Sequence, residues 1–185
     1  MHSKKLTKGK LLIAEPAILN DASFNRSVIL LSEHNEEGSI GFILNKPSDF
    51  TLHDLIPEIE SDLIIYNGGP VSQENLYFVH RVPDLIPDSI KIAEGIYWGG
   101  NFDKVQHLLE QGLLKKIDIR FFLGYSGWSK DQLQSELDTT SWVVIDNTYT
   151  NIFDISDDSV WKENLLNFGG EYRLWANAPE NISLN

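Results

Sequence analysis

Cysteine is absent from the 185 residues. That excludes disulfides, thiolate catalysis and cysteine-bound zinc, but says little about compartment. Basic residues are scarce: 15 Lys and Arg stand against 27 Asp and Glu, a net charge of −12. An acidic body repels nucleic-acid backbone, whose affinity comes largely from Lys and Arg releasing counterions. No helix-turn-helix pattern or basic recognition helix appears, so direct nucleic-acid binding is not expected. No apolar run approaches the roughly 18 residues that suggest a membrane helix. The basic start, Met1 to Lys5, leads into no apolar stretch with a small-residue cleavage site. The expected location is the cytoplasm. The histidines are scattered, without a His-x-x-x-His or Glu-x-x-His arrangement, so no metal or cofactor is expected.

What is present is the composition of a globular domain, 42% apolar and 23% charged, long enough for one sizeable core. The charge is uneven. Residues 1–10 carry four Lys and no acid, whereas residues 133–185 hold nine acids against Lys162 and Arg173. The ends, 1–8 and 180–185, are expected to be flexible, leaving a single domain over 1–185.

Apolar runs at 10–15, 27–32 and 39–44 read as strands, the last two as an antiparallel hairpin. Thr51 caps a short helix with Asp54 in its first turn. Strands are expected at 63–66, 76–80, 90–98 around Gly95, 117–123 and 142–145. Asn101 caps a helix ending at Gly112. Ser129 and Gln132 form a capping box before a helix bearing Leu133 and Leu137. A last helix, 160–168, stops at Gly169-Gly170. Clustered strands with helices between the later ones predict an α+β fold: a mixed, mostly antiparallel sheet packed by three to four short helices.

Three turn-like motifs follow apolar runs: Gly41-Phe42-Ile43-Leu44-Asn45-Lys46-Pro47, Asn67-Gly68-Gly69-Pro70-Val71 and Gly124-Tyr125-Ser126-Gly127-Trp128. Each is expected to leave a strand through Gly, Asn or Pro, which permits close backbone approach. If they converge, Asn45, Lys46, Pro47, Gly68, Gly69, Pro70, Gly124, Tyr125, Gly127 and Trp128, with Gln132 and Glu136 on the next helix, form a ligand or partner cleft. Each motif also has a plainer reading. Asn45-Lys46-Pro47 is either turn chemistry or a pair of donors for an anion. Gly68-Gly69-Pro70 lacks the spacing of a phosphate-binding loop. Ser126 precedes Gly127 and Trp128, whereas a nucleophile elbow needs Gly two residues after Ser; a tight turn fits better. Gln132 and Glu136, four apart, share a helix face and serve either the cap or a polar ligand beside Tyr125 and Trp128.

Taken in order, Gly9 to Pro16, Phe24-Asn25-Arg26-Ser27 with the run to Leu31, Gly41 to Pro47, Gly68 to Val71 and Gly124 to Trp128, then Gln132-Leu133 and Glu136-Leu137, resemble the AlgH/YqgE family over nearly the whole chain. The resemblance implies a compact α+β fold with a bent, barrel-like sheet. It implies no established activity and no catalytic or metal-binding set; members are often labelled as candidate transcriptional regulators. Ser126 departs from the Ala usual in the family. The expected function is a non-enzymatic binding or regulatory protein acting through a protein or small-molecule partner, with an indirect effect on transcription. The alternatives are an enzyme using a pocket near Asn45 and Glu136, and a direct DNA-binding regulator.

Overall fold

The computed structural model describes residues 5–19 and 21–180. Its strands are β1 (Leu11–Ala14), β2 (Val28–Asn35), β3 (Gly38–Ile43), β4 (Pro47–Thr51), β5 (Ile64–Asn67), β6 (Val71–His80), β7 (Ile90–Ala93), β8 (Ile96–Trp98), β9 (Ile119–Ser129) and β10 (Trp142–Ile145). The helices are α1 (Leu52–Leu55), α2 (Phe102–Glu110), α3 (Gln132–Asp138), α4 (Ser159–Phe168) and α5 (Tyr172–Ala176). The strands join into one unclosed sheet in the order β10-β1-β2-β3-β9-β6-β8-β7, with β5 attached to β9 and β4 to β5. Only the β5–β9 pairing is parallel among those described. This is the α+β, mostly antiparallel architecture the sequence predicts.

Local chemistry sets the elements. In β1 and the first half of β2 every residue is buried, as successive apolar side chains require when both faces are covered. The β2–β3 hairpin closes at Asn35 and Gly38. Thr51 and Asp54 cap α1 reciprocally, and the Asn101 side chain accepts from Lys104 N at the start of α2. Strand β9 separates two apolar cores. Adjacent residues of a strand face opposite ways, and Phe122 enters the core of β1–β3, β10 and α4 while Phe121 enters that of α1, α2 and β5. The Trp161 ring of α4 is fully buried, and its Nε1 donates to Ala14 O of β1 at 2.8 Å.

Three features differ from the sequence reading. Strand β4 was not foreseen because Pro47 opens it. Proline is tolerated at the first position of an edge strand, and β4 pairs with β5 alone. The described residues form five α-helices, the addition being the short α5 after Gly169-Gly170. Gly124–Trp128 is not a turn: it lies inside β9, which runs on to Ser129. Of the ends expected to be flexible, residues 1–4 and 181–185 lie outside the described residues. Leu6 is buried in the larger core, and Lys8 Nζ donates to Lys91 O.

Candidate functional site

The glycine motifs meet, and they meet backbone to backbone. Strand β9 passes from β5 and β6 at its start to β3 at its end. It changes neighbours at Gly124, whose φ of +69° suits glycine. A Cβ on Gly124 would stand 2.6 Å from Gly69 O, and one on Gly68 would stand 2.3 Å from Gly124 O. Gly69, at φ +154°, would put a Cβ 2.2 Å from the Tyr125 carbonyl. The Gly41 to Pro47 segment joins them, Ile43 N donating to Gly68 O and Asn67 N to Lys46 O. Glycine serves here to let strands cross. The Ser126 side chain is 0% exposed and donates to Gly68 O at 3.1 Å. It ties the crossing together from within β9, which replaces the tight-turn reading.

The helix after β9 behaves as a clip. Glu136 accepts from Trp128 Nε1 at 2.9 Å, from Trp142 Nε1 at 2.8 Å and from Gln132 Nε2 at 3.0 Å. The expected capping box does not form: the N-cap is Asp131, without a side-chain cap bond, and Gln132 Oε1 instead accepts from both Ser129 N and Ser129 Oγ at the end of β9. The two indoles pack edge to face. Trp128 is buried in the core, yet with Tyr125 and Gly127 it lines a groove of about 380 Å³ that includes Val71 and Ile40 and the acids Glu33 and Glu37. Asn45, Lys46, Pro47, Gly68, Gly69, Pro70, Gly124, Gln132 and Glu136 do not line it.

Asn45 and Lys46 instead serve the region of Arg26. Asn45 is buried, its Oδ1 accepting from Val28 N and its Nδ2 donating to Arg26 O, both at 2.9 Å. That amide clamps Arg26 in a left-handed backbone, φ +55°, a conformation that costs a residue with a Cβ energy. Burial holds the Lys46 ammonium below its ordinary pKa, against the fields of Glu180 and Asp158, which raise it. Arg26 is 4% exposed, and its guanidinium pairs with Asp158 through Nη1 at 2.8 Å. Its Nη2 donates to Ala178 O at 2.7 Å.

A larger groove, about 1090 Å³, opens between Ser61–Tyr66 and Leu114–Phe121. Arg120, 7% exposed, stands in its wall. The guanidinium carbon lies 3.9 Å from the Tyr66 ring centroid, and its nitrogens donate to Leu44 O, Phe153 O and Ile155 O. Burial lowers its pKa to about 10. Lys115, Lys116, Glu60 and Asp62 also line the groove, together with Ile64 and Ile117, which are both largely exposed. The sequence reading missed this groove. The available signal was a cation set between Ile119 and Phe121 in an otherwise apolar run. The described residues hold no cluster of His, Asp or Glu fit for a metal ion, and no described helix is long and apolar enough to cross a membrane.

The AlgH-like family matches residues 11–173. A UPF0301 protein of Cytophaga hutchinsonii is 41% identical over 182 residues, covering 97% of this chain and 100% of the relative. One from Chlorobium chlorochromatii is 43% identical over 183 residues, covering 98% and 97%. The chain therefore belongs to the AlgH-like family. Its fold matches the solution structure of the AlgH protein from Pseudomonas aeruginosa, with TM-score 0.70 at 25% identity over 97% of this chain and 98% of that one. It also matches a crystal structure of a Corynebacterium diphtheriae protein, with TM-score 0.73 at 22% identity over 96% and 95%.

Proposed function

We propose that the protein is a non-enzymatic, cytoplasmic binding protein, with any effect on transcription exerted through the partner or small molecule it holds. The observation that carries this reading is the groove between Ser61–Tyr66 and Leu114–Phe121. Its volume of about 1090 Å³ is ample for a ligand, and its lining sets apolar residues such as Ile64, Ile117 and Phe121 beside the charged Glu60, Asp62, Lys115, Lys116 and Arg120. Catalytic chemistry has less support. Ser126 and His80 are buried and committed to backbone groups, and Glu136 is shared by two indoles. Direct DNA reading is disfavoured by the −12 charge.

The test is purification from the native cell followed by mass spectrometry of what remains bound, for the wild type and for Ile117→Asp. Ile117 is 50% exposed on the groove's rim, so the substitution leaves the core alone. The expected outcome is a bound species in the wild type that is lost from the variant. A species retained equally by both moves the site elsewhere, first to the groove at Tyr125, Gly127 and Trp128, whose Glu33 and Glu37 suit a basic segment. Sequence-dependent binding to genomic DNA at about 150 mM salt would reject the reading in favour of a direct regulator.

A further inference from the structure

The side-chain atoms that are buried without a hydrogen-bond partner among the described residues are Asn25 Oδ1, Arg26 Nε and Ser27 Oγ. They fall on three consecutive residues, and the middle one is held in a left-handed backbone by Asn45. Buried polar groups are rarely left unpaired, so three together mark a place built to meet something.

The guanidinium shows what kind of group that is. Nε–H and one N–H of Nη2 point the same way and form the side-on fork that a carboxylate or phosphate engages through two parallel bonds. In Arg26 the Nη2 side is met by a single carbonyl oxygen, Ala178 O, at 2.7 Å, while Nε goes without. A lone carbonyl oxygen fills one tooth of a fork made for two. Lys46 stands nearby, half-buried, desolvated and within the fields of Arg26, Asp158 and Glu180. Its ammonium makes no hydrogen bond or ion pair with the described residues. Asp158 is already shared by Arg26 and Lys162, at 2.8 and 3.0 Å, so its charge is spent twice. Arg26, Lys46 and Lys162 leave this spot short of negative charge on a chain that carries −12 overall.

We infer that Arg26 and Lys46 form a binding site for an oxyanion, the carboxylate or phosphate group of a small ligand, and that Ala178 and Glu180 of the chain's own C-terminal segment stand in for that ligand here. Arg26 Nε and Nη2 take two oxygens of the anion, Lys46 Nζ takes a third contact, and Ser27 Oγ is an additional donor. Asn25 Oδ1 can only accept, and it suits a hydroxyl of the ligand or a water. Binding displaces Ala178 O from Nη2 and Glu180 from the field of Lys46, so the C-terminal segment competes with the ligand. The site is separate from the groove at Ile117, and neither reading depends on the other.

The experiment uses the full chain, titrated separately with inorganic phosphate and with acetate, while the Arg26 Nε–H resonance is followed by NMR. In the Glu180→Gln variant the competitor has lost its charge, and at least one of the two anions is expected to bind about tenfold tighter than to the wild type. Adding Lys46→Gln to that variant is expected to weaken binding by about tenfold or more. The Lys46 ammonium has no hydrogen bond among the described residues to lose, and its backbone bond to Asn67 N is kept, so this change leaves the fold intact, checked by an unmoved backbone spectrum away from the site. The ranking of phosphate against acetate then names the oxyanion the site prefers. The inference is overturned if the Arg26 Nε–H signal does not respond to either anion, or if all three proteins bind them equally. It is also overturned if Glu180→Gln brings no tightening, since the C-terminal segment is then no competitor.

Discussion

Two arginines are buried in this protein, and they are buried in different ways. Arg120 has no carboxylate partner among the described residues. Three backbone carbonyls and the face of Tyr66 hold it, and the carbonyls come from distant parts of the chain: Leu44 just after β3, and Phe153 and Ile155 in and just after the 3-10 turn Ile152–Asp154 that precedes α4. Arg26 does have a carboxylate, Asp158, and lies 5.1 Å from the Trp161 ring centroid, yet its Nε has no partner. The first is a finished strut that fixes a loop to the sheet. The second is a partly occupied fork. A buried cation is therefore not by itself a sign of function; what distinguishes the two is whether the donor set is satisfied.

The sharpest way to break the comparison is to remove the strut. Arg120→Met keeps much of the length and apolar stem but leaves three buried carbonyls without their donor. Unsatisfied buried polar groups cost about 1–3 kcal/mol each, and water can reach some of them from the groove. A net loss of about 3–5 kcal/mol is expected, read from the urea midpoint. A loss below about 1 kcal/mol would show that the carbonyls are rehydrated at little cost and that Arg120 stands in the groove wall for another reason.

The corresponding change at the second arginine should cost less. Asp158→Asn removes the carboxylate that Arg26 and Lys162 share. The side chain of Asp158 is partly exposed, so solvent screens the pair, and an Asn oxygen can still accept from Nη1. A loss of roughly 1–2 kcal/mol is expected by the same urea measurement. If Asp158→Asn cost as much as Arg120→Met, the Arg26 cluster would be a structural strut too, and its unpartnered nitrogen would carry little meaning.

The contrast also explains what could be read from the sequence. Strands β1, β2 and β3 and the caps at Thr51 and Asn101 were legible because their signals are local: apolar runs, and side chains that bond three residues on. The misreading at Gly124–Trp128 came from treating glycine as a chain reverser. Its role is to let β9 pass close to Gly68 and Gly69, and Gly68 and Ser126 are 58 residues apart, a contact no local window contains. Asn45 posed the same difficulty. A polar residue between Leu44 and Lys46 looks like a ligand donor, yet its amide is consumed in holding Arg26 and Val28. Arg26 lay in plain view within Phe24-Asn25-Arg26-Ser27, but its fork acquires meaning only once Ala178 is seen to fill half of it.

A third buried basic group, His80, gives the smallest and most selective test of the same rule. It is fully buried, with Nε2 at 3.1 Å from Gly99 O and Nδ1 accepting from Val82 N at 3.2 Å. One nitrogen must then carry the proton and the other must not, so the ring is satisfied only when neutral. Burial holds its pKa below the ordinary imidazole value of 6.5, against the hydrogen bond to Gly99, which raises it. The folded state binds a proton less readily than the unfolded chain, so the unfolded chain takes up more protons as pH falls below about 6.5. Stability is thus unaffected well above that pH and declines below it, until the folded pKa is reached. Other groups titrate in the same range, and Glu15, whose pKa is raised by burial, acts with the opposite sign. The difference between the wild type and His80→Gln isolates the histidine, since glutamine offers one donor and one acceptor without a charge change. The stability gap between the two proteins should narrow by on the order of 1 kcal/mol from pH 7.5 to pH 5, as only the wild type is penalised. A gap constant across that range would mean that His80 accepts a proton within the fold, and that Val82 N is released to let it do so.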